Sequence, residues 1–270
     1  MRSGGAPARR RRPGGRRPAG YGEDLAHVHD AGFSDFAERA APFLLAQLRP
    51  LVPEGGRVVD LGCGSGRLAF HLARAGYAVL GVDRSAALLA LARRRAPGAT
   101  FRRASFLDLE LPPCHAVVAL GEVFNYRFDP RVDAAALRRL FRRVYRALSP
   151  GGLFAFDVAG PARAPRSGFA AGWKMGDGWA VLFEKEARRS GRTLARRVVT
   201  FRRVGRSYRR SEELHLLRLY PEAEVRAALE RAGFEVRMRR GYGALRLGRG
   251  LAAFLARKPL RPAPLRPGGA

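Results

Sequence analysis

The sequence predicts an α/β protein with a doubly wound, mostly parallel sheet and an inserted antiparallel β meander. Short apolar runs alternate with helical patterns from Arg57 to Val158, which is typical of parallel strands joined by helices. A glycine-rich loop separates the first of these strands from the first helix. From Trp179 onward, strand-like runs follow one another with only short turns between them, which favours antiparallel pairing.

The elements of the parallel region follow from apolar spacing and from helix signals. The strands are expected at Arg57–Leu61, Ala78–Val82, Thr100–Arg103, Ala116–Leu120 and Leu153–Val158. The helices are expected at Arg67–Arg74, from the capping residue Ser85 to about Arg95, and from Asp133 to Leu148, where Ser149-Pro150-Gly151-Gly152 ends the last one.

A different pattern begins after Val158. Residues 159–178 are rich in Gly, Ala and Pro and are expected to form a loop. Strands are expected at Trp179–Glu186, Thr193–Val204 and Ser207–Tyr220, then a helix from Pro221 to Gly233, and two final strands at Phe234–Arg239 and Leu251–Arg257.

These elements predict five parts along the chain. Residues 1–20 are an Arg-rich segment that we expect to be disordered, because it carries seven arginines and almost no large apolar residue. Residues 21–158 form an N-terminal lid and the main core, 159–220 the antiparallel insertion, and 221–259 the helix and strands that complete the core. Residues 260–270, with three prolines and two glycines, are expected to be flexible.

The formal charge of +28 invites a nucleic-acid function, but the composition argues against it. The chain has 48 arginines and three lysines, one asparagine and no isoleucine, as expected from a genome of high GC content. The arginines are spread over the whole chain, whereas a nucleic-acid surface concentrates its charge. We therefore expect no nucleic-acid partner, although a basic N-terminal arm remains the alternative for residues 1–20.

Other classes are disfavoured by simple counts. Two cysteines, Cys63 and Cys114, favour a reducing cytoplasm over a disulfide framework. No apolar run reaches the ~20 residues of a membrane span, so no membrane partner is expected. No Cys/His cluster has the spacing of a metal site, so none is predicted. Monomer and homodimer both remain open.

The most informative segment is Asp60-Leu61-Gly62-Cys63-Gly64-Ser65-Gly66, which follows a strand and opens a helix. Glycines there let a ligand approach bare backbone, and a helix N-terminus offers free N–H groups. The spacing Gly64-x-Gly66-x-x-Ala69 is also a permitted dinucleotide variant, so a nicotinamide cofactor remains an alternative. Asp60 favours a ligand with an ammonium group, because a carboxylate repels a pyrophosphate.

This segment resembles the first motif of the class I S-adenosylmethionine-dependent methyltransferases, small-molecule type, whose sheet is Rossmann-like. Gly81-Val82-Asp83-Arg84-Ser85 is similar to the family's second motif, and Gly121 to Tyr126 to its motif after the fourth strand. The resemblance implies S-adenosylmethionine as cofactor and a small-molecule acceptor. Its implied cofactor residues are Asp60, Gly62, Cys63, Gly64, Gly66, Asp83, Arg84, Ser105, Phe106 and Gly121.

Within this resemblance, Asp83 is expected at the ribose hydroxyls, and Ser105 and Phe106 at the adenine. The stretch from Tyr21 to Phe33 is expected to be a helical lid, and residues 159–220 to cover the acceptor. Methyl transfer is an in-line displacement in which the protein supplies mainly orientation, with a base only where the nucleophile is protonated. The candidates for catalysis are His215, first, and then Glu122 and Tyr126. A methyltransferase acting on RNA or protein is the remaining alternative.

Overall fold

The centre of the chain is a seven-stranded sheet, seen in a computed structural model that describes residues 20–33, 35–188 and 191–260. The helices are α1 (Glu23–Gly32), α2 (Asp35–Leu48), α3 (Arg67–Arg74), α4 (Ala86–Arg95), α5 (Ala134–Ala147) and α6 (Glu222–Arg231). The strands are β1 (Arg57–Leu61), β2 (Ala78–Asp83), β3 (Thr100–Arg103), β4 (Cys114–Ala119), β5 (Leu148–Ala159), β6 (Phe169–Gly176), β7 (Trp179–Ala187), β8 (Thr193–Val204), β9 (Ser207–Arg218), β10 (Glu235–Arg239), β11 (Gly241–Tyr242), β12 (Leu245–Arg246) and β13 (Leu251–Arg257).

The central sheet confirms the predicted fold class. Its order is β10-β13-β5-β4-β1-β2-β3, and β13 is the strand that runs antiparallel to its neighbours. The chain moves outward from β1 to β3 and then returns to place β4 on the other side of β1. This reversal opens a crevice at the carboxyl ends of β1 and β4, where ligands bind in sheets of this kind.

Each face of this sheet carries its own apolar core. On one face, α5 and α6 cover the rings of Phe154, Phe156 and Phe254 from β5 and β13, and α5 adds Phe141 to this cluster. On the other face, α2 and α3 contribute Leu44, Leu48, Leu68 and Leu72. Because both faces are covered, the strands are nearly continuous apolar runs, as expected of a parallel sheet.

The four-stranded insertion has one more strand than the sequence predicts. The order of its strands is β6-β7-β8-β9, all antiparallel. We expected residues 159–178 to form a loop, and that prediction is wrong over Phe169–Gly176. This strand lies at an edge with both faces mostly exposed, and Trp173 is 70% exposed, so it lacks the buried alternation that would reveal it in the sequence.

A single buried amide joins the insertion to the central sheet. The Asn125 side chain accepts a hydrogen bond from the Ala159 backbone N–H at 2.9 Å. Its amide nitrogen donates to the Ala159 carbonyl at 2.8 Å and to the Arg218 carbonyl at the end of β9. The next residues extend this joint, since Arg127 N–H donates to Leu216 in β9 at 2.8 Å.

The bounds of β1, β3, β13 and α3 are as expected. Strand β5 begins at Leu148 instead of Leu153, so the expected turn Ser149-Pro150-Gly151-Gly152 is part of this strand, where its pairing with β4 is irregular. The structure adds helix α2 and the short β11–β12 hairpin, which the sequence did not indicate. The expected disorder of residues 1–20 and flexibility of residues 260–270 concern segments that lie, apart from Gly20 and Leu260, outside the described residues. The five-part division of the chain stays a prediction.

Gly66 gives a first testable prediction. It has φ of +77° at the start of α3, and a Cβ there would lie 2.9 Å from the Cα and Cβ of Ala92 in α4. Gly66→Ala should therefore destabilise the chain by about 2–5 kcal/mol, combining left-handed strain with overpacking. Gly55→Ala is the matched control, because Gly55 has φ of +69° with no atom within 4 Å of that Cβ, and it should cost about 1 kcal/mol. Urea unfolding measures both, and equal costs would contradict the packing argument.

Candidate functional site

One cavity of about 470 Å³ runs from the glycine loop after β1 to the inner face of the insertion. Its volume lies within the range of small-molecule sites. Of the residues predicted from the sequence, it is lined by Asp60, Gly62, Cys63, Gly64, Asp83, Arg84, Ser105, Phe106, Gly121, Glu122, Tyr126 and His215. Gly66 lies outside this lining, against Ala92. The structure thus brings together side chains that lie up to 155 positions apart in the sequence.

The glycine loop forms one wall with an open backbone. Gly64 has φ of +55°, and no atom lies within 4 Å of the position its Cβ would occupy. The backbone N–H groups of Gly62 and Cys63 donate to the Val82 carbonyl, which ties the loop to the end of β2. Burial raises the pKa of the Cys63 thiol well above its usual range, so Cys63 lines the cavity as a small protonated side chain.

Two carboxyl groups, the half-buried Asp83 and the buried Asp60, stand beside this loop. Asp83 accepts hydrogen bonds from the backbone N–H of Gly64 at 3.0 Å and of Ser85 at 2.8 Å. Asp60 is 2% exposed, and its Oδ2 has no hydrogen-bond partner within the described residues. Burial and the nearby Asp83 raise the pKa of Asp60 to about 7. A buried, unsatisfied carboxyl group is costly, and a cationic ligand would satisfy it.

The far end of the same wall holds an ion-pair cluster that sequence reasoning missed. Asp129 is buried and pairs with Arg84 at 3.0 Å and with Arg131 at 2.6 Å. Ser105 donates its hydroxyl toward Asp129 at 3.4 Å, and Phe106 packs edge-on against Phe124. Arg84 is therefore engaged by Asp129. No local pattern marks Asp129, since its role depends on β2 and on the loop after β3.

The loop after β4 carries Glu122 in a left-handed conformation, with φ of +61°. The buried Asp157 carboxyl group holds this loop by accepting from the backbone N–H of Gly121 at 2.9 Å and of Glu122 at 2.8 Å. The Glu122 carboxylate itself contacts two guanidinium groups, those of Arg163 and Arg196, both at 3.2 Å. It enters the cavity as the centre of an ion-pair network.

His215 lies at the other end of the cavity, next to three aromatic rings. It is 2% exposed, and its Nε2 contacts Glu213 Oε2 at 2.8 Å. Glu213 also accepts hydrogen bonds from the backbone N–H groups of Tyr21 at 2.9 Å and of Gly22 at 2.8 Å. Because a carboxylate accepts hydrogen bonds, we assign His215 Nε2 as the donor in its contact with Glu213.

Tyr126 connects this histidine to the ion-pair network. Its hydroxyl accepts a hydrogen bond from Arg196 Nη1 at 2.8 Å and lies 3.3 Å from the Tyr21 hydroxyl. The Tyr126 ring stands edge-on to the His215 ring with centroids 5.6 Å apart. The three residues proposed for catalysis therefore meet in one region, together with Arg196, which the sequence did not single out.

Helix α1 closes the cavity as the predicted lid does. Its apolar side packs Leu25 and Val28 against Trp179, Val181 and Val198 of the insertion. At its other end, Asp30 accepts from the Ser65 hydroxyl at 2.6 Å and pairs with Arg67 and Arg95. His29 faces the cavity, and burial lowers its pKa to about 4. The lid thus touches both the glycine loop and the insertion.

Within residues 20–33, 35–188 and 191–260, no three His, Cys, Asp or Glu side chains form a group that could hold a metal ion. The helices of that same part of the chain are all too short or too polar to cross a membrane.

The chain resembles known proteins at the level of both sequence and fold. The family model described as "Methyltransferase domain" matches residues 58–152, which cover β1 to the start of β5. A structure described as an S-adenosylmethionine-dependent methyltransferase from Clostridium acetobutylicum superposes with a TM-score of 0.74 at 19% identity. That superposition covers 87% of this chain and 98% of the other and shows the fold.

Two similar sequences extend over most of the chain. The dTDP-3-amino-3,4,6-trideoxy-alpha-D-glucopyranose N,N-dimethyltransferase of Streptomyces venezuelae is 28% identical over 250 residues, covering 86% of this chain and 97% of that protein. The dTDP-4-amino-2,3,4,6-tetradeoxy-D-glucose N,N-dimethyltransferase of Saccharopolyspora spinosa is 30% identical over 222 residues, covering 79% of this chain and 86% of that protein. Alignments of this length include the insertion as well as the glycine loop.

The Asp129 cluster predicts a pH-dependent contribution to stability. Arg131 lowers the pKa of Asp129 to about 2, so the stabilisation is complete above the unfolded pKa near 4 and is lost as the pH falls toward 2. Asp129→Asn should lower the free energy of unfolding by about 1–2 kcal/mol at neutral pH. The difference in free energy of unfolding between Asp129→Asn and the unmodified chain should disappear as the pH falls from about 4 to 2. Urea unfolding at each pH measures this difference. Asp108→Asn is the control, because Asp108 also pairs with Arg131 but is exposed. If the free-energy difference for Asp129→Asn did not change with pH, the assignment would be contradicted.

Proposed function

The chain belongs to the S-adenosylmethionine-dependent methyltransferases, and from this premise we propose that it methylates an amino group on a small sugar nucleotide. The observation that carries the proposal is the single cavity that joins the carboxyl groups of the glycine loop to the His215–Glu213 pair. The relatives that match along most of the chain bear names that describe N,N-dimethylation of amino sugars carried on dTDP. This supports an amine as the accepting group.

The residues along the glycine loop fit the cofactor. Asp60 offers a buried carboxylate oxygen with no partner in the described structure, which suits the ammonium group of the methionine end. We assign the two ribose hydroxyls to Asp83, which lies at the end of β2 and faces the cavity. The missing side chain of Gly64 leaves the space that a ligand needs to approach the loop backbone.

The remaining cofactor residues are assigned from their positions along the glycine-loop wall of the cavity. We assign the adenine to Ser105 and Phe106, with Arg84 held beside them by Asp129. Cys63, Gly62 and Gly121 line the path between the two ends. Gly66 contributes indirectly, by letting α3 start close to α4. When bound, S-adenosylmethionine supplies a methyl group that its sulfonium has already activated.

An amine is protonated in solution near neutral pH, so one proton must leave before its lone pair can attack. We assign this step to His215, whose Nδ1 accepts the proton while Nε2 donates to Glu213. Glu213 stabilises the positive charge that His215 then carries, and it is itself fixed by two backbone N–H groups of the lid. The remaining work is to hold the amine in line with the methyl group and to exclude water.

Glu122 and Tyr126 have supporting roles in this proposal. Both oxygens of the Glu122 carboxylate contact guanidinium groups, which hold this side chain in the ion-pair network. Tyr126 accepts from Arg196 and packs against His215, which fixes the orientation of the imidazole. We therefore regard Glu122 and Tyr126 as positioning residues.

Asp83→Ala tests the cofactor assignment. It should weaken the affinity for S-adenosylhomocysteine by about tenfold or more, because ribose hydroxyls lose charge-assisted hydrogen bonds worth roughly 1.5–3 kcal/mol each. Calorimetry measures the affinity. Asp177→Ala is the control with the same change of charge, since Asp177 is 95% exposed and outside the cavity. Unchanged affinity in Asp83→Ala would remove the ribose from this position.

His215→Ala tests the proposed chemistry, with methyl transfer measured from labelled S-adenosylmethionine to dTDP-linked amino sugars and to their hydroxyl analogues. We expect transfer to the amino sugars by the unmodified chain. His215→Ala should lower turnover by roughly 10²–10⁴-fold, the contribution typical of a general base, and leave cofactor affinity within about threefold.

His71→Ala is the matched control, because His71 pairs with Glu38 on the outer side of α3. Transfer to the hydroxyl analogues alone would contradict the amine assignment. Loss of cofactor affinity with normal turnover at saturating cofactor would place His215 in the cofactor site instead.

A further inference from the structure

Three basic side chains lie in register across the inner face of the insertion. Lys185 in β7 is the direct partner of Arg196 in β8, and Arg196 is the direct partner of His215 in β9. All three line the cavity. Like charges placed directly opposite each other destabilise an antiparallel sheet, so the Lys185–Arg196 pair has a cost that needs a compensating negative charge.

The same sheet compensates several of its other cations with carboxylates. On the outer face, Arg197 pairs with Glu184 at 3.4 Å and with Glu212 at 2.6 Å. On the inner face, Arg202 and Arg209 are also direct partners. Two acids of the lid, Glu23 and Asp24, neutralise them, with Asp24 as close as 2.6 Å to Arg209.

The Lys185–Arg196 pair is compensated only in part. Glu122 contacts Arg196 and must also serve Arg163, so one carboxylate faces two guanidinium groups. Within the described ranges, Lys185 lies over the Phe183 ring at 4.9 Å and has no ion pair. Burial, Arg196 and Arg163 together lower the pKa of Lys185, as expected of a cation among cations.

Two other groups near Lys185 and Arg196 do not neutralise the positive charge of this pair. Asp157 lies behind Glu122, where its carboxyl group accepts two backbone N–H groups and the Tyr242 hydroxyl, so it does not contact the cations. The Nε–H of Arg196 is buried and has no hydrogen-bond partner in the part of the chain that the structure describes. An unsatisfied donor beside excess positive charge is a site for an anion.

We propose that Lys185, with Arg163 and Arg196, binds an anionic group, a phosphate or a carboxylate, on the methyl acceptor. This rests on the proposed function, because it places the anion on the molecule whose amine faces His215. Lys185 lies two strands away from His215, and neighbouring strands are ~4.8 Å apart, so the two backbones are separated by roughly 10 Å. The acid and the amine of the acceptor therefore lie on different parts of the molecule, separated by several bonds.

The experiment uses the full chain saturated with S-adenosylhomocysteine and titrates it with two probes, inorganic diphosphate and citrate. Lys185→Met should weaken binding of the preferred probe by tenfold or more, and Lys185→Arg should retain it within about threefold. Arg203→Met is the control for loss of one charge, because Arg203 is exposed and pairs only with Asp177 among the described residues. It should change the affinity less than twofold.

The two probes decide the source of the anion. Tighter saturable binding of diphosphate assigns the site to phosphate, and tighter binding of citrate assigns it to carboxylate. The absence of saturable binding of either probe, or equal weakening by Lys185→Met and Arg203→Met, would overturn the proposal. S-adenosylhomocysteine binding is measured on each variant. Its loss in Lys185→Met would also overturn the proposal, whereas its absence in the unmodified chain would instead refute the proposed function.

Discussion

The geometry of the cavity depends on the buried amide of Asn125. This side chain bonds to both backbone groups of Ala159, at the end of β5, and to the carbonyl of Arg218, at the end of β9. It thereby fixes the insertion to the carboxyl edge of the parallel sheet. Replacing either the donor or the acceptor of this amide would leave buried backbone groups unsatisfied, which is why an asparagine fits the position. The wall that carries His215 is consequently held next to the wall that carries Asp60.

Glu213 couples the lid to this arrangement. Its carboxylate contacts His215 Nε2 and accepts hydrogen bonds from the backbone of Tyr21 and Gly22, the two residues that precede α1. The orientation of the imidazole and the position of the lid therefore depend on one side chain. At the other end of α1, Asp30 joins the lid to Ser65 in the glycine loop. A lid fixed at both ends covers the wall of the glycine loop and the wall of the insertion together. Exclusion of water and orientation of the proposed base are therefore consequences of the same contacts.

Features with a local cause could be predicted from the sequence, and features created by distant pairs could not. The apolar run Arg57–Leu61, the glycine loop and the Ser85 cap each act within a few residues, so β1, the loop and α4 were evident. Strand β6 was missed because an exposed edge strand has no buried alternation. Arg196 was missed because its partner Glu122 lies 74 positions away and only the folded chain brings them together. Asp129 has a local partner in Arg131, but its contact with Arg84, 45 positions earlier, exists only in the folded chain.

The distinction between Arg196 and Arg197 shows why composition alone says little about function in so basic a chain. These neighbours have the same side chain, but successive residues of a strand point to opposite faces. Arg197 faces outward between Glu184 and Glu212, and its charge is balanced there by carboxylates. Arg196 faces the cavity opposite Lys185 and shares its carboxylate with Arg163. The function of an arginine here therefore depends on its register in the strand and on whether carboxylates balance its charge. The total charge of +28 indicates neither.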